Sequence, residues 1–304
     1  MNIRRAVFLL LILAAALAAP RPLRAEREPF LVSTAWLAEH LRDKNLVLIQ
    51  VGVPEEFNAA HIPGAVFLSY MDISTPRGEG LTLQVPPVEQ LRDTFEKLGV
   101  SDDSRIVVYF GKDWVTPTAR VFLTLEYLGL GARTSLLDGG LPTWQAEGRP
   151  VSAEATTPAR GKLTPRPRSD VIVTAEWVNE HRSDPTAAIV DARHAQFYSG
   201  EAGHMPRGGH IPGARSIPYP SLVEESNKLK DRAALEEIFR AAGVRPGQLV
   251  VTYCHIGQQA SLAWFVARML GYDARLYDGS FEEWSARTEF PVVGPAPATP
   301  ESKP

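Results

Sequence analysis

One thiol stands apart in this chain. Cys254 is the single cysteine, and it lies in the run Leu249-Val250-Val251-Thr252-Tyr253-Cys254-His255-Ile256-Gly257-Gln258-Gln259-Ala260. There an apolar, β-rich segment ends and a helical stretch begins. A cysteine in that position meets the unpaired N–H groups and the positive dipole end of the helix. Gly257 allows the loop to curl, so that several amides turn toward one sulfur. The expected consequence is a lowered thiol pKa and a standing thiolate, the nucleophilic form. A free cysteine is commonly a core residue, and that is the plain alternative. The order strand, cysteine, loop, glycine, helix favours the nucleophile.

The elements that must position this thiol are written twice. Phe57 and Phe197 are 140 residues apart, as are Asp138 and Asp278, and Trp144 and Trp284. His61-Ile62-Pro63-Gly64-Ala65 recurs as His210-Ile211-Pro212-Gly213-Ala214 at an offset of 149, and Val107-Val108 as Val250-Val251 at 143. A period this long, with drifting offsets, is a duplicated domain with loop insertions rather than a solenoid. In each copy short apolar runs (Leu46 to Val51, Ile106 to Tyr109, Ser135 to Leu137; Ala188 to Val190, Leu249 to Tyr253, Arg275 to Tyr277) alternate with helical stretches. The helices expected are Val88 to Leu98 and Thr118 to Leu128, then Ala233 to Ala242 and Ala260 to Leu270, each followed or closed by glycine. Alternation of this kind predicts α/β domains with mainly parallel sheets, whose ligands sit beyond the carboxyl ends of the strands. Domains are expected over 30–150 and 171–293, joined by a Pro-, Thr- and Arg-rich linker over 151–170 and followed by a flexible tail over 294–304.

Composition narrows the functional classes. Of 304 residues 44% are apolar and 22% charged, which provides for sizeable cores and excludes global disorder. Net charge is −3 with no basic stripe, so no nucleic-acid partner is expected. One cysteine excludes a disulfide framework and multi-cysteine metal sites. Arg4 and Arg5 precede the apolar run Ala6 to Ala19, which closes on small residues before Pro20. This reads as a signal peptide within 1–25, cut after Ala19 or Ala25, with an uncleaved anchor as the alternative. Cleavage leaves no stable membrane span, and the mature protein is expected to be periplasmic or secreted. In an oxidising compartment an unpaired cysteine is a candidate reactive thiol.

The double α/β copy, the two His-Ile-Pro-Gly-Ala turns, Asp138-Gly139-Gly140 with Trp144, Asp278-Gly279-Ser280 with Trp284, and Cys-x-x-Gly-x-x-Ala at Cys254 together resemble tandem-domain rhodaneses. The resemblance spans roughly Phe30 to Val293. It implies two rhodanese-like domains, each a mainly parallel sheet flanked by helices, the second catalytic and the first not. It also implies that Cys254 accepts a sulfane sulfur as a persulfide and passes it to a thiophilic acceptor such as cyanide or a thiol. The active-site loop is then His255, Ile256, Gly257, Gln258, Gln259 and Ala260. Arg193 is placed to bind a small anionic donor through paired guanidinium N–H groups, and Asp191 to orient groups nearby.

Aligning the copies puts Asp191 and Arg193 opposite Val51 and Val53, and Cys254 opposite Gly111, so the first copy lacks all three groups. The sulfur rides on the protein, so no cofactor is required. No metal site is expected, since His204 and His210 lack further ligands. His61 and His210 recur in both turns and are expected to be architectural, and Trp144 and Trp284 to be core. His255 either attracts anions when protonated or points to solvent.

The loop carries neither the cations usual in thiosulfate-preferring rhodaneses nor the small Gly and Ser residues usual in mercaptopyruvate sulfurtransferases. Thiosulfate is favoured as the doubly charged anion. A mercaptopyruvate-preferring enzyme and a non-catalytic sulfur carrier or protein-binding module are the alternatives. Ala260 stands sixth after Cys254, which argues against a Cys-x5-Arg phosphatase. Two covalently joined copies can pack on each other, so a monomer is expected.

Overall fold

A computed structural model describes residues 29–294 apart from 77, 114 and 204. The expected signal peptide, most of the tail, and His204 lie outside the described residues. The first half runs β1 (Leu31–Val32), α1 (Thr34–His40), β2 (Leu46–Gly52), α2 (Pro54–Ala59), β3 (Val66–Ser69), α3 (Val88–Lys97), β4 (Arg105–Phe110), α4 (Val115–Tyr127), β5 (Thr134–Leu137) and α5 (Gly140–Ala146). The second repeats it as β6 (Ile172–Val173), α6 (Ala175–His181), β7 (Ala187–Asp191), α7 (Ala195–Ser199), β8 (Arg215–Ser216), α8 (Arg232–Ala241), β9 (Leu249–Tyr253), α9 (Gln258–Leu270), β10 (Ala274–Tyr277) and α10 (Ser280–Ala286).

The two sheets have the same order, β1-β5-β4-β2-β3 and β6-β10-β9-β7-β8, and their strand pairs are parallel. The fold is therefore the doubled α/β arrangement expected from the sequence. Central strands β4 and β9 are covered on both faces, which is why they read as unbroken apolar runs rather than as alternating patterns. No described helix is long and apolar enough to cross a membrane.

Helices α4 and α9 are apolar on nearly every side because each covers its own sheet and also packs on the other. The Phe122 ring meets Phe265 edge-on at 4.9 Å and stacks on Phe30 at 5.7 Å. One apolar core therefore runs across the domain boundary. Both helices begin before the expected positions, at Val115 and Gln258. Pro117 sits in the first turn, where its missing N–H costs nothing.

The copies superpose one residue away from the alignment read off the valine pairs. Tyr109 Oη accepts the Ile62 N–H at 3.0 Å, and Tyr253 Oη accepts the Ile211 N–H at 3.1 Å, so these tyrosines correspond. Gln50 pairs with Tyr109 across its sheet, and Asp191 pairs with Tyr253. Cys254 is thus matched by Phe110, Asp191 by Gln50 and Arg193 by Gly52, not by Gly111, Val51 and Val53. Neighbouring valines in both strands let the sequence comparison slip by one. The first copy still lacks thiol, carboxylate and guanidinium.

The repeated histidines brace their turns. His61 Nδ1 lies 2.8 Å from Phe57 O and its ring stacks on Phe57, while His210 Nδ1 lies 2.8 Å from Tyr198 O and stacks on Tyr198. Trp144 and Trp284 are buried, their Nε1–H groups donating to Pro150 O and Pro291 O. Residues 151–170 form no helix and lie along the first domain. Glu96 accepts from Leu163 N and Arg160 Nη2 there, and Asp102 accepts from Thr164 N.

Because the inter-domain core is shared, Phe122→Ala is expected to destabilise both halves together, by about 3–5 kcal/mol. Urea unfolding followed by circular dichroism should then show one transition at lower midpoint. Two separated transitions in the wild-type protein would contradict a shared core.

Candidate active site

Strand β9 delivers Cys254 to the carboxyl edge of the second sheet, and the loop 255–257 leads directly into α9. The backbone N–H groups of Ile256, Gly257, Gln259 and Ala260 all donate to the Cys254 sulfur. The cup is held from below. Ser261 Oγ donates to Gly257 O at 2.9 Å and Thr252 Oγ1 to Ala260 O at 3.0 Å. The Cys254 N–H donates to Ser280 Oγ at 3.2 Å, and Cys254 O accepts from Phe281 N at 3.0 Å. Gly257 has φ +83°, and a Cβ there would stand 2.8 Å from Asp278 Oδ1. Only glycine makes this bend at this distance.

The thiol itself is fully buried, at 0% exposure. Burial pushes its pKa up, and the four amides pull it down less strongly, so the net direction is upward. This corrects the expected standing thiolate. The amide cup is present, but loss of water outweighs it in the resting thiol.

In the rest of the loop His255, Ile256, Gln258 and Gln259 are only partly covered. His255 meets the edge of Phe197 with ring centroids 4.6 Å apart, and Ile256 packs against the first domain's core. Gln258 lines a shallow cavity of about 230 Å³ with Asp113, Thr116 and Pro117 across the domain boundary. Ala260 is buried, and Gln259 is partly exposed.

Arg193 and Asp191 do not stand as an open anion fork. Arg193 is 2% exposed, with Nε 2.9 Å and Nη2 2.5 Å from the Asp191 carboxylate. Nη2 also donates to Gly209 O at 2.7 Å, and the guanidinium lies 4.1 Å from the centroid of Phe281. Burial opposes its charge, yet the carboxylate and its hydrogen bonds raise its pKa overall. The Nε and Nη2 edge of the guanidinium is thus engaged by Asp191 and Gly209 O.

Three groups around the cup escaped the sequence reading. Asp278, read only as a turn residue, accepts Arg120 Nη2 at 2.5 Å and the Val85 N–H at 2.9 Å, both from the first domain. Ser280 supports the Cys254 amide. Arg120 is wholly buried. A single cation in the apolar helix Val115–Tyr127 was the signal available for it. Phe197 was marked only by its repeat of Phe57, and Tyr70 by nothing comparable.

The thiol thus sits at a strand–loop–helix junction in the second of two equivalent parallel-sheet domains. The rhodanese-like domain model matches residues 33–147 and 174–287, and the chain belongs to that family. The sulfur carrier protein TtuD of Thermus thermophilus is 32% identical over 86% of this chain and 96% of its own length. 3-Mercaptopyruvate sulfurtransferase of Escherichia coli is 31% identical, covering 86% and 96%. Thiosulfate sulfurtransferase of Azotobacter vinelandii is 30% identical, covering 87% and 97%.

Burial favours the protonated thiol, so the thiolate fraction is expected to grow only as pH rises past the ordinary thiol range of about 8.5. Alkylation of Cys254 followed against pH should keep climbing above that value, whereas a plateau near neutrality would contradict the balance. Gly257→Ala forces both the bend and the Asp278 contact, and activity should fall by about a hundredfold. Steady-state assay of the folded variant checks this.

Proposed function

We propose that this protein is a sulfurtransferase that carries sulfane sulfur as a persulfide on Cys254, with thiosulfate as donor and cyanide or a thiol as acceptor. The observation that carries it is the convergence of four backbone amides on the sulfur of the chain's single cysteine. In the first half-reaction the Cys254 sulfur bonds to the outer sulfur of thiosulfate while the sulfur–sulfur bond of the donor breaks. The electron pair leaves with sulfite, the thiol proton goes with it as bisulfite, and Cys254 is left as an anionic persulfide. In the second, cyanide attacks the outer sulfur, thiocyanate departs, and the Cys254 thiolate recovers a proton from water. The chemistry needs no external oxidant or reductant. The amide cup serves each anionic state in turn, as fixed dipoles aimed where charge develops.

With Arg193 bound to Asp191, charge on the donor is met by amide N–H groups and by the partly exposed loop rather than by a guanidinium fork. A mercaptopyruvate preference is the second reading, favoured by the absence of Lys and Arg from His255 to Ala260. The apolar segment Ala6 to Ala19 behind Arg4 and Arg5 supports export to the periplasm or beyond.

Incubation with thiosulfate should add one sulfur to the protein mass, cyanide should remove it as thiocyanate, and Cys254→Ser should abolish both. Retained thiocyanate production in Cys254→Ser would sink the assignment. Inertness to thiosulfate with turnover of mercaptopyruvate would select the second reading. Arg193→Ala is expected to lower stability, by about 3–5 kcal/mol, because it strands Asp191 as an unpaired buried charge. Chemical denaturation measures that loss, and wild-type stability in the variant would contradict the pairing described.

A further inference from the structure

The first domain has lost its own nucleophile, yet it sends a charged side chain to the underside of the second domain's loop. Arg120 on α4 is fully buried, and its guanidinium is used on one edge only. Nη2 donates to Asp278 Oδ1 at 2.5 Å and to Leu83 O at 3.3 Å. Nε and Nη1 are buried without a hydrogen-bond partner in the protein. Nη1 points at Gly257: a Cβ on that glycine would stand 3.2 Å from it. Gly257 is itself one of the four amide donors to the Cys254 sulfur. The Tyr70 hydroxyl, also from the first domain, is buried within electrostatic reach of Arg120, Asp278 and Cys254. A buried guanidinium with unused N–H groups is costly unless it serves another purpose.

We propose that Arg120 is a positioning residue for sulfur transfer, holding Gly257 and Asp278 so that the amide cup closes on the anionic states of Cys254, with the Tyr70 hydroxyl completing the buried donor set. The first domain then supplies part of the working site rather than a scaffold alone. This rests on Cys254 being the sulfur carrier.

The charged and titratable groups around that thiol come from both domains. Tyr70 and Arg120 belong to the first domain, and Asp278, His255, Tyr253 and the Arg193–Asp191 pair to the second. Asp278 is satisfied by Arg120 and Val85, and Asp191 by Arg193. The unused edge of Arg120 is the positive group left facing the cup from below.

The test compares wild type with Arg120→Lys, Tyr70→Phe and the double variant Arg120→Met with Asp278→Asn, which removes the ion pair without stranding a carboxylate. Thiolate absorbance in the ultraviolet, against Cys254→Ser as blank, reads the one thiol directly and independently of turnover. In the double variant its midpoint should rise by roughly one pH unit. kcat for thiosulfate should fall by about ten- to a hundredfold while KM changes little. Arg120→Lys should keep the midpoint near wild type and still lose kcat, since it retains charge without the fork. Tyr70→Phe should lower kcat several-fold in a protein that melts normally. A double variant, or Arg120→Lys and Tyr70→Phe should the double variant not fold, with unchanged midpoint and kcat overturns the inference. Loss of turnover in Cys254→Ser alongside that result leaves the sulfurtransferase reading standing, whereas turnover in Cys254→Ser removes the reading beneath both.

Discussion

Four amide hydrogens converge on a sulfur that has no water. Hydrogen bonds favour the charged sulfur and loss of water disfavours it, and at Cys254 burial prevails in the resting state. A site balanced in this way holds its proton until a donor arrives and then meets the new negative charge with dipoles already in place, so little reorganisation is left for the reaction itself. The glycine bend at 257, the hydroxyls of Thr252, Ser261 and Ser280, and the buried pair of Arg120 with Asp278 all serve to keep those amides where they are.

Duplication explains how one chain can meet so many constraints. Each half repeats the same sheet order, the same tyrosine-to-turn hydrogen bond and the same buried tryptophan. The equivalent aspartates then cross over. Asp278 of the second half accepts Val85 of the first, and Asp138 of the first accepts the Leu229 N–H of the second. In the first half Phe110 replaces the thiol, and the strand end is filled by Gln50, whose amide atoms have no partner. The first half lacks the thiol, and its core is continuous with that of the second.

Much of this was legible in the sequence, and the failures have physical causes. Long apolar strands and helices were readable because burial on both faces or on one stripe leaves a strong pattern, as in Leu249–Tyr253 and Val88–Lys97. Two-residue strands such as Leu31–Val32 are too short to carry one. The single cysteine before a glycine-bearing loop pointed to the site. Its pKa did not follow, because the amide cup is local and visible in sequence while burial is set by packing from distant residues. Asp191 and Arg193 were both legible, but their side chains' closing on each other is a matter of packing that the sequence does not display. Arg120 and Tyr70 lie more than a hundred residues from Cys254 in sequence, and Arg120 reaches its loop only through the domain interface.

The most direct measurement is to load the protein with thiosulfate radiolabelled in its outer sulfur and to map the label by peptide. The account predicts label on the peptide that contains Cys254, discharged by cyanide as labelled thiocyanate. Label elsewhere, or none on a protein that still turns over thiosulfate, would contradict it.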